Sequence, residues 1–173
     1  DFCLSRGLGD VYKRQEFNLY EEFWKIYTNS AILPPQYIAE NAVIDRSIIG
    51  NGCEIYGEVH NCVISAGVTI EEGAVVRDSI IMSDCTIGKG CVIDKSIIAE
   101  NTKVGEGAIL GIGSEEPNKL KPAVYSFGLV TIGENSVIPD HVQIGKNTAI
   151  SGITNKEDYP DGVLGSGETL IKA

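Results

Sequence analysis

VISAGVTIEEGAVVRDS (63–79), IIMSDCTIGKGCVIDKS (80–96) and IIAENTKVGEGAILGIG (97–113) are three consecutive 17-residue blocks that can be laid over one another. An earlier, shorter turn, IIGNGCEIYGEVHNC (48–62), has the same character. Aliphatic marks fall 6, 6 and 5 residues apart: Ile64, Ile70 and Val76, then Ile81, Ile87 and Ile93, then Ile98, Val104 and Leu110. The six-residue step returns in Ile132, Ile138, Ile144 and Ile150. A helix would need marks about every 3.6 residues, and a meander would alternate along longer strands joined by hairpins. A step of six fits a short strand plus a corner, three to a coil, so the chain winds round a triangular prism.

Two further registers agree. Two residues before a mark stands something small: Ala42, Ser47, Cys53, Cys62, Ala74, Ser79, Cys85, Cys91, Ser96, Thr102 and Ala108. A narrow prism accommodates only small inward side chains near its corners. Three residues after a mark comes Gly, Asn or Asp: Asn41, Gly52, Gly67, Gly73, Asp84, Gly90, Asn101, Gly107, Asn135 and Asn147. These types enter the left-handed region at least cost, as a sharp corner requires. Gly52, Gly73, Gly90 and Gly107 are accordingly read as structural corners. Each coil adds about 4.8 Å to a face, so roughly five to six coils give a prism of about 25–30 Å.

Composition bounds the function. With 14 Lys and Arg against 24 Asp and Glu, the net charge is −10, and no basic stripe is present to displace counterions from nucleic-acid phosphates. No apolar run approaches the ~20 residues of a membrane span. Acidity and apolar content suit a solvated cytoplasmic protein that meets neither membrane nor nucleic acid. Four of the five cysteines, Cys53, Cys62, Cys85 and Cys91, take the small inward position and read as reduced core thiols. No CxxC or Cys/His cluster suggests a metal.

The flanks differ from the repeat. Residues 1–15, DFCLSRGLGDVYKRQ, share none of the later periodicity and read as a non-native leader. Residues 18–28 (NLYEEFWKIYT) read as a short amphipathic helix with Asn18 as cap and Leu19, Phe23 and Ile26 on one face. Pro34-Pro35 stops it and starts an extended run into the first coil. Residues 16–37 are thus a junction, 38–152 the prism, and 153–173 a C-terminal tail. The 113–128 stretch (GSEEPNKLKPAVYSFG) interrupts the period and reads as a surface loop leaving one corner, with Lys119 and Lys121 among acidic and Pro residues.

Asn18-Leu19-Tyr20, Trp24-x-Ile26-x-Thr28 and Leu33-Pro34-Pro35, with GLVTIGENSVIP (128–139) and DYPDGVLGSGETLI (158–171), resemble the C-terminal part of bacterial ADP-glucose pyrophosphorylases. That resemblance covers about residues 16–173. It implies an all-β fold, a left-handed parallel β-helix of hexapeptide repeats with about 17 residues per coil and a short N-terminal helix. It further implies a preceding nucleotidyltransferase domain, which would make ADP-glucose and pyrophosphate from ATP and glucose 1-phosphate for glycogen synthesis. Tyr20, Trp24, Tyr27, Pro34 and Pro35 would form the interdomain or regulatory interface. Many family members carry a basic residue where Tyr27 stands, in a region associated with effectors, so this chain departs from the usual effector response. The implied assembly is a homo- or hetero-tetramer.

The chemistry of the complete reaction is expected elsewhere. The family's G-x-G-[TS]-R-L-x-P-L-T phosphate loop does not occur in this sequence. The look-alikes Gly88-x-Gly90 and Gly105-x-Gly107 recur 17 residues apart and are turn glycines. No catalytic, cofactor-binding or metal-binding residue is therefore assigned in this chain, which by itself is expected to be inactive. Mg2+ with ATP would bind the catalytic domain. The alternatives are a hexapeptide-repeat acyltransferase, with His60 or His141 as general base, and a non-catalytic regulatory subunit or scaffold. A three-histidine metal enzyme of the same fold is excluded, because only two histidines exist.

Overall fold

The computed structural model describes residues 32–172; the expected leader, the short helix, Tyr20, Trp24 and Tyr27 lie outside the described residues. Three strands make each coil, as the step of six requires. The first coil is β1 (Tyr37–Ile38), β2 (Val43–Asp45) and β3 (Ile48–Ile49); the second is β4 (Glu54–Ile55), β5 (Glu58–His60) and β6 (Val63–Ile64). The third is β7 (Thr69–Ile70), β8 (Val75–Arg77) and β9 (Ile80–Ile81); the fourth is β10 (Thr86–Ile87), β11 (Val92–Asp94) and β12 (Ser96–Ile98). The fifth is β13 (Lys103–Val104), β14 (Ile109–Ile112) and β15 (Val130–Ile132); the sixth is β16 (Val137–Ile138), β17 (Gln143–Gly145) and β18 (Thr148–Ser151). A last coil holds β19 (Val163–Leu164) and β20 (Thr169–Ile171).

These strands stack in parallel into three faces: face A with six strands from β1 to β16, face B with seven from β2 to β19, and face C with seven from β3 to β20. Register follows the repeat, with Ile64 beside Ile81, Ile81 beside Ile98, and Ile70 beside Ile87. Successive strand residues point to opposite sides of the sheet, so every mark faces inward. Ile55, Ile70, Ile87, Ile93, Ile98 and Ile144 are all fully buried. Each such burial is worth about 1.5–3 kcal/mol, and a column of them down the axis is what holds the prism.

The corner glycines turn as expected, with φ of +72° at Gly52, +73° at Gly73 and +64° at Gly90 and Gly107. Asp84, Asn101, Asn135 and Asn147 do the same at 54–59°, whereas Asn41 in the first coil turns without a positive φ. The five-residue step has its own corner, which the spacing did not reveal. There the left-handed residue comes two after the mark and is Arg46, Asn61, Asp78 or Lys95, with φ of 44–54°. A corner one residue shorter must turn earlier, and beside Asn61 and Asp78 it does so with Arg46 and Lys95, types not expected in that region.

One boundary is corrected. The segment 153–173, read as a tail, holds β19 and β20 and so adds a seventh strand to two faces, against the five or six coils expected. Its marks Leu164 and Leu170 are six apart, but the route to them is irregular. Ile153 bridges to Val137, and Tyr159, 2% exposed, enters the core while its hydroxyl meets Thr154 Oγ1 at 2.8 Å. An aromatic plug replaces the third strand, which hides the period. At the other end, the 15-residue turn is short because Tyr56-Gly57 alone rounds the corner between Ile55 and Val59. A Cβ on Gly57 would lie 2.3 Å from the Ala74 carbonyl oxygen, so only glycine permits that shortcut.

Candidate functional site

The inward small position is a hydrogen-bonding position. Cys53, Cys85 and Cys91 donate their thiols to the carbonyls of Ser65, Ala99 and Gly105 at 2.9, 3.0 and 2.9 Å. Thr102 Oγ1 does the same to Gly133 O at 3.0 Å. A corner carbonyl that leaves the ladder needs such a partner, since an unpaired buried polar group costs about 1–3 kcal/mol. Burial pushes these three thiols and that of Cys62 above their ordinary pKa, against the lowering effect of nearby backbone hydrogen bonds. Raised, enclosed thiols are poor nucleophiles. In a Cys3→Ser variant, native protein is expected to resist alkylation at pH 8 and to take up four labels once denatured. Rapid labelling of the folded protein, read by mass spectrometry, would remove these cysteines from the core.

The two histidines stand apart. His60 points outward from β5 on face B, in register with Asp45 and Arg77 on the adjoining strands, and its Nε2 lies 3.4 Å from Glu58 Oε2. His141 occupies a corner at φ +60°, with its ring over Gly107. Three strands of face B separate β5 from β17, the strand that follows His141. Neither is brought to the other. Among the described residues, no group of three His, Cys, Asp or Glu side chains is placed to hold a metal ion. No helix there is long and apolar enough to cross a membrane.

The loop between Ile112 and Val130 is the most elaborated surface. It leaves at a bulge, where the β14–β17 register shifts between Leu110 and Ile112. Its anchor is Asn118, 2% exposed. Asn118 Nδ2 donates to Asn147 O at 2.8 Å and to Thr169 Oγ1 at 3.1 Å, while Oδ1 accepts from the Leu120 and Lys121 amides at 2.9 and 2.8 Å. Asn147 answers, donating to Glu116 O and accepting from the Gly128 amide, both at 2.8 Å. Lys119 Nζ pairs with Glu168 Oε1 at 2.7 Å, and the bound carboxylate holds the ammonium above its usual pKa. Lys119, Leu120, Glu168, Thr169 and Ile171 line an open cleft of 510 Å³. Tyr125 stands over Thr131, Gly133 and Ala149 of face C beside a second, of 290 Å³. A third hollow of 350 Å³ lies where the shortened corner exposes Tyr56, among Glu54, Glu71, Glu72 and Lys89.

Of the expected interface residues, Pro34 and Pro35 are exposed, and Pro34 offers its carbonyl to the Gly52 amide at 2.7 Å. The asparagine anchor and the hollow at Tyr56 were not foreseen. A lone Asn in a polar loop carries no sequence signal, whereas the four-residue step from Ile55 to Val59 did mark the shortened corner.

Comparison with known proteins follows the same lines. The family model for "GlmU-like, C-terminal hexapeptide" matches residues 29–132. Glucose-1-phosphate adenylyltransferase of Lachnospira eligens is 65% identical over 157 residues, 91% of this chain and 37% of that protein. The enzymes of that name from Acetivibrio thermocellus and Thermotoga maritima are 43% and 52% identical, over 91% and 90% of this chain and 37% of each protein. The chain thus spans little more than a third of the length of these relatives. Among solved structures, the acetyltransferase domain of PglB from Neisseria gonorrhoeae superposes with a TM-score of 0.46 at 21% identity, over 76% of this chain and 54% of that one. With a match over most of its repeat, the chain belongs to the GlmU-like C-terminal hexapeptide family and corresponds to the C-terminal part of glucose-1-phosphate adenylyltransferases.

Proposed function

We propose that this chain is the assembly and regulatory module of a cytoplasmic glucose-1-phosphate adenylyltransferase. The observation that carries the reading is the 65% identity to that enzyme over 157 residues, an extent that includes the irregular parts of the prism as well as its repeats. A repeat alone would be shared with many transferases. The complete enzyme joins ATP and glucose 1-phosphate into ADP-glucose, with Mg2+ carried on ATP in the catalytic portion. The prism supplies rigid faces on which that portion and neighbouring subunits pack into a tetramer. Tyr20, Trp24, Tyr27, Pro34 and Pro35 mark the junction through which the two parts communicate. Coupling of that kind needs two assembled states that an effector distinguishes by its affinity.

A chimera tests this. The part of the Lachnospira eligens enzyme preceding the matched region is joined in frame to residues 16–173 of this chain. Tetramer formation and ADP-glucose synthesis within about tenfold of the parent enzyme are expected, with none from the 173-residue chain by itself. A folded chimera no more active or assembled than the isolated catalytic portion would overturn the reading.

A further inference from the structure

Alternation along each strand places fixed residues on the outside of each face, and the three faces differ sharply in charge. Face A presents Glu54, Glu71 and Lys103 outward, and face B presents Asp45, Glu58, Arg77 and Asp94. On face C, the outward positions from Ile48 on β3 to Ile171 on β20 carry no charged side chain. In a chain with 38 charged residues and a net charge of −10, a seven-strand face without one is a marked exception.

Its first four strands have a definite relief. Ile48, Val63 and Ile80 are 41, 43 and 42% exposed and form a ridge with the half-buried Ile97. Directly beside it run Gly50, Ser65 and Ala99, a furrow of small residues filled at one level by Met82. Beyond these coils, Tyr125 stands over the same face, so the open ridge is confined to β3, β6, β9 and β12.

We propose that this part of face C is a contact between two copies of the chain, related by a two-fold axis. A two-fold contact must be complementary to itself. A patch carrying net charge of one sign repels its own copy, whereas an uncharged one does not, so in an acidic chain face C is where two copies approach without that penalty. The relief is complementary to itself as well: rotation lays each ridge into the other copy's furrow. Both repeat at the strand spacing of about 4.8 Å, so every coil meets its partner in step. Another protein would match that spacing only by carrying a ladder of its own. Met82, unbranched and adaptable, fills the remaining space near the centre. This deepens the assembly part of the proposed function by naming the surface and its partner.

Eight outward positions per copy fall well short of the ~20–30 residues a side of a standard interface. The dimer of the 173-residue chain is therefore weak and concentration-dependent. Sedimentation velocity across a wide concentration range tests it, with Ile80→Glu placing a carboxylate on the ridge and Thr86→Glu placing one on face A. The parent chain and Thr86→Glu should dimerise alike, while Ile80→Glu raises the dissociation constant at least tenfold with an unchanged melting temperature. A parent chain that stays monomeric throughout, or equal effects of the two variants, would overturn the proposal. If Ile80→Glu loses stability, Ile80→Cys combined with Met82→Cys in a Cys3→Ser background replaces it: ridge and furrow thiols of two copies then meet at one level, oxidation should trap a disulfide-linked dimer, and its absence refutes the contact. In the chimera, retained activity with Ile80→Glu assembling normally would sink this surface and leave the adenylyltransferase reading intact.

Discussion

Gly111→Val is expected to lower the stability of the prism by about 3–5 kcal/mol, against about 1–3 for Gly90→Val. Both glycines have positive φ, +86° and +64°, so both substitutions force a β-branched residue into the left-handed region. Their surroundings separate them. A Cβ at Gly90 meets nothing within 4 Å, and the loss there is backbone strain alone. At Gly111 the same atom would lie 2.3 Å from the Asp94 carbonyl oxygen and 3.1 Å from its carbon. That oxygen accepts the Ser96 hydroxyl at 2.9 Å and belongs to β11, paired on both sides, so it has little room to retreat. Overpacking is added to strain. Thermal or urea unfolding of the two variants decides it: equal losses would show that contact at the bulge is relieved by movement. No loss at Gly90 would contradict the corner assignment itself.

Asn118→Ala is expected to cost about 2–4 kcal/mol and to release the loop from 113 to 129 from the prism. The substitution removes a buried donor to Asn147 O and Thr169 Oγ1 and a buried acceptor for two backbone amides. Water entering the gap recovers part of this, so the loss is smaller than the sum of the separate bonds. Hydrogen exchange should accelerate at the Leu120, Lys121 and Gly128 amides while the amides of β7 to β12 stay protected. Leu120→Ala, at a position 60% exposed, serves as the control and should change stability by less than about 0.5 kcal/mol. Unchanged loop exchange in Asn118→Ala would mean that the loop is held by Asn147 and the Lys119–Glu168 pair instead.

These two positions show where local pattern stops being informative. In the third repeat block Gly111-Ile112-Gly113 stands where the earlier blocks carry Arg77-Asp78-Ser79 and Lys95 with its neighbours, a visible break that announces the bulge and the departing loop. Nothing comparable announces Asn118. Its burial follows from the loop folding back on residues 29 and 51 positions away.

The step of six, the small inward residues and the glycine and asparagine corners determined a three-sided parallel prism from the sequence alone. Each coil repeats one local problem, a short strand and a sharp turn, and the residues that solve it recur at fixed spacing. The tertiary structure decided what does not repeat. Tyr159 replaces a strand and extends two faces beyond Ser151, while Tyr56-Gly57 cuts a corner. Two asparagines tie a loop to the final coil. The difference between an uncharged face C and its charged neighbours depends on which outward positions fall on one plane. That grouping exists only once residues 17 positions apart are stacked.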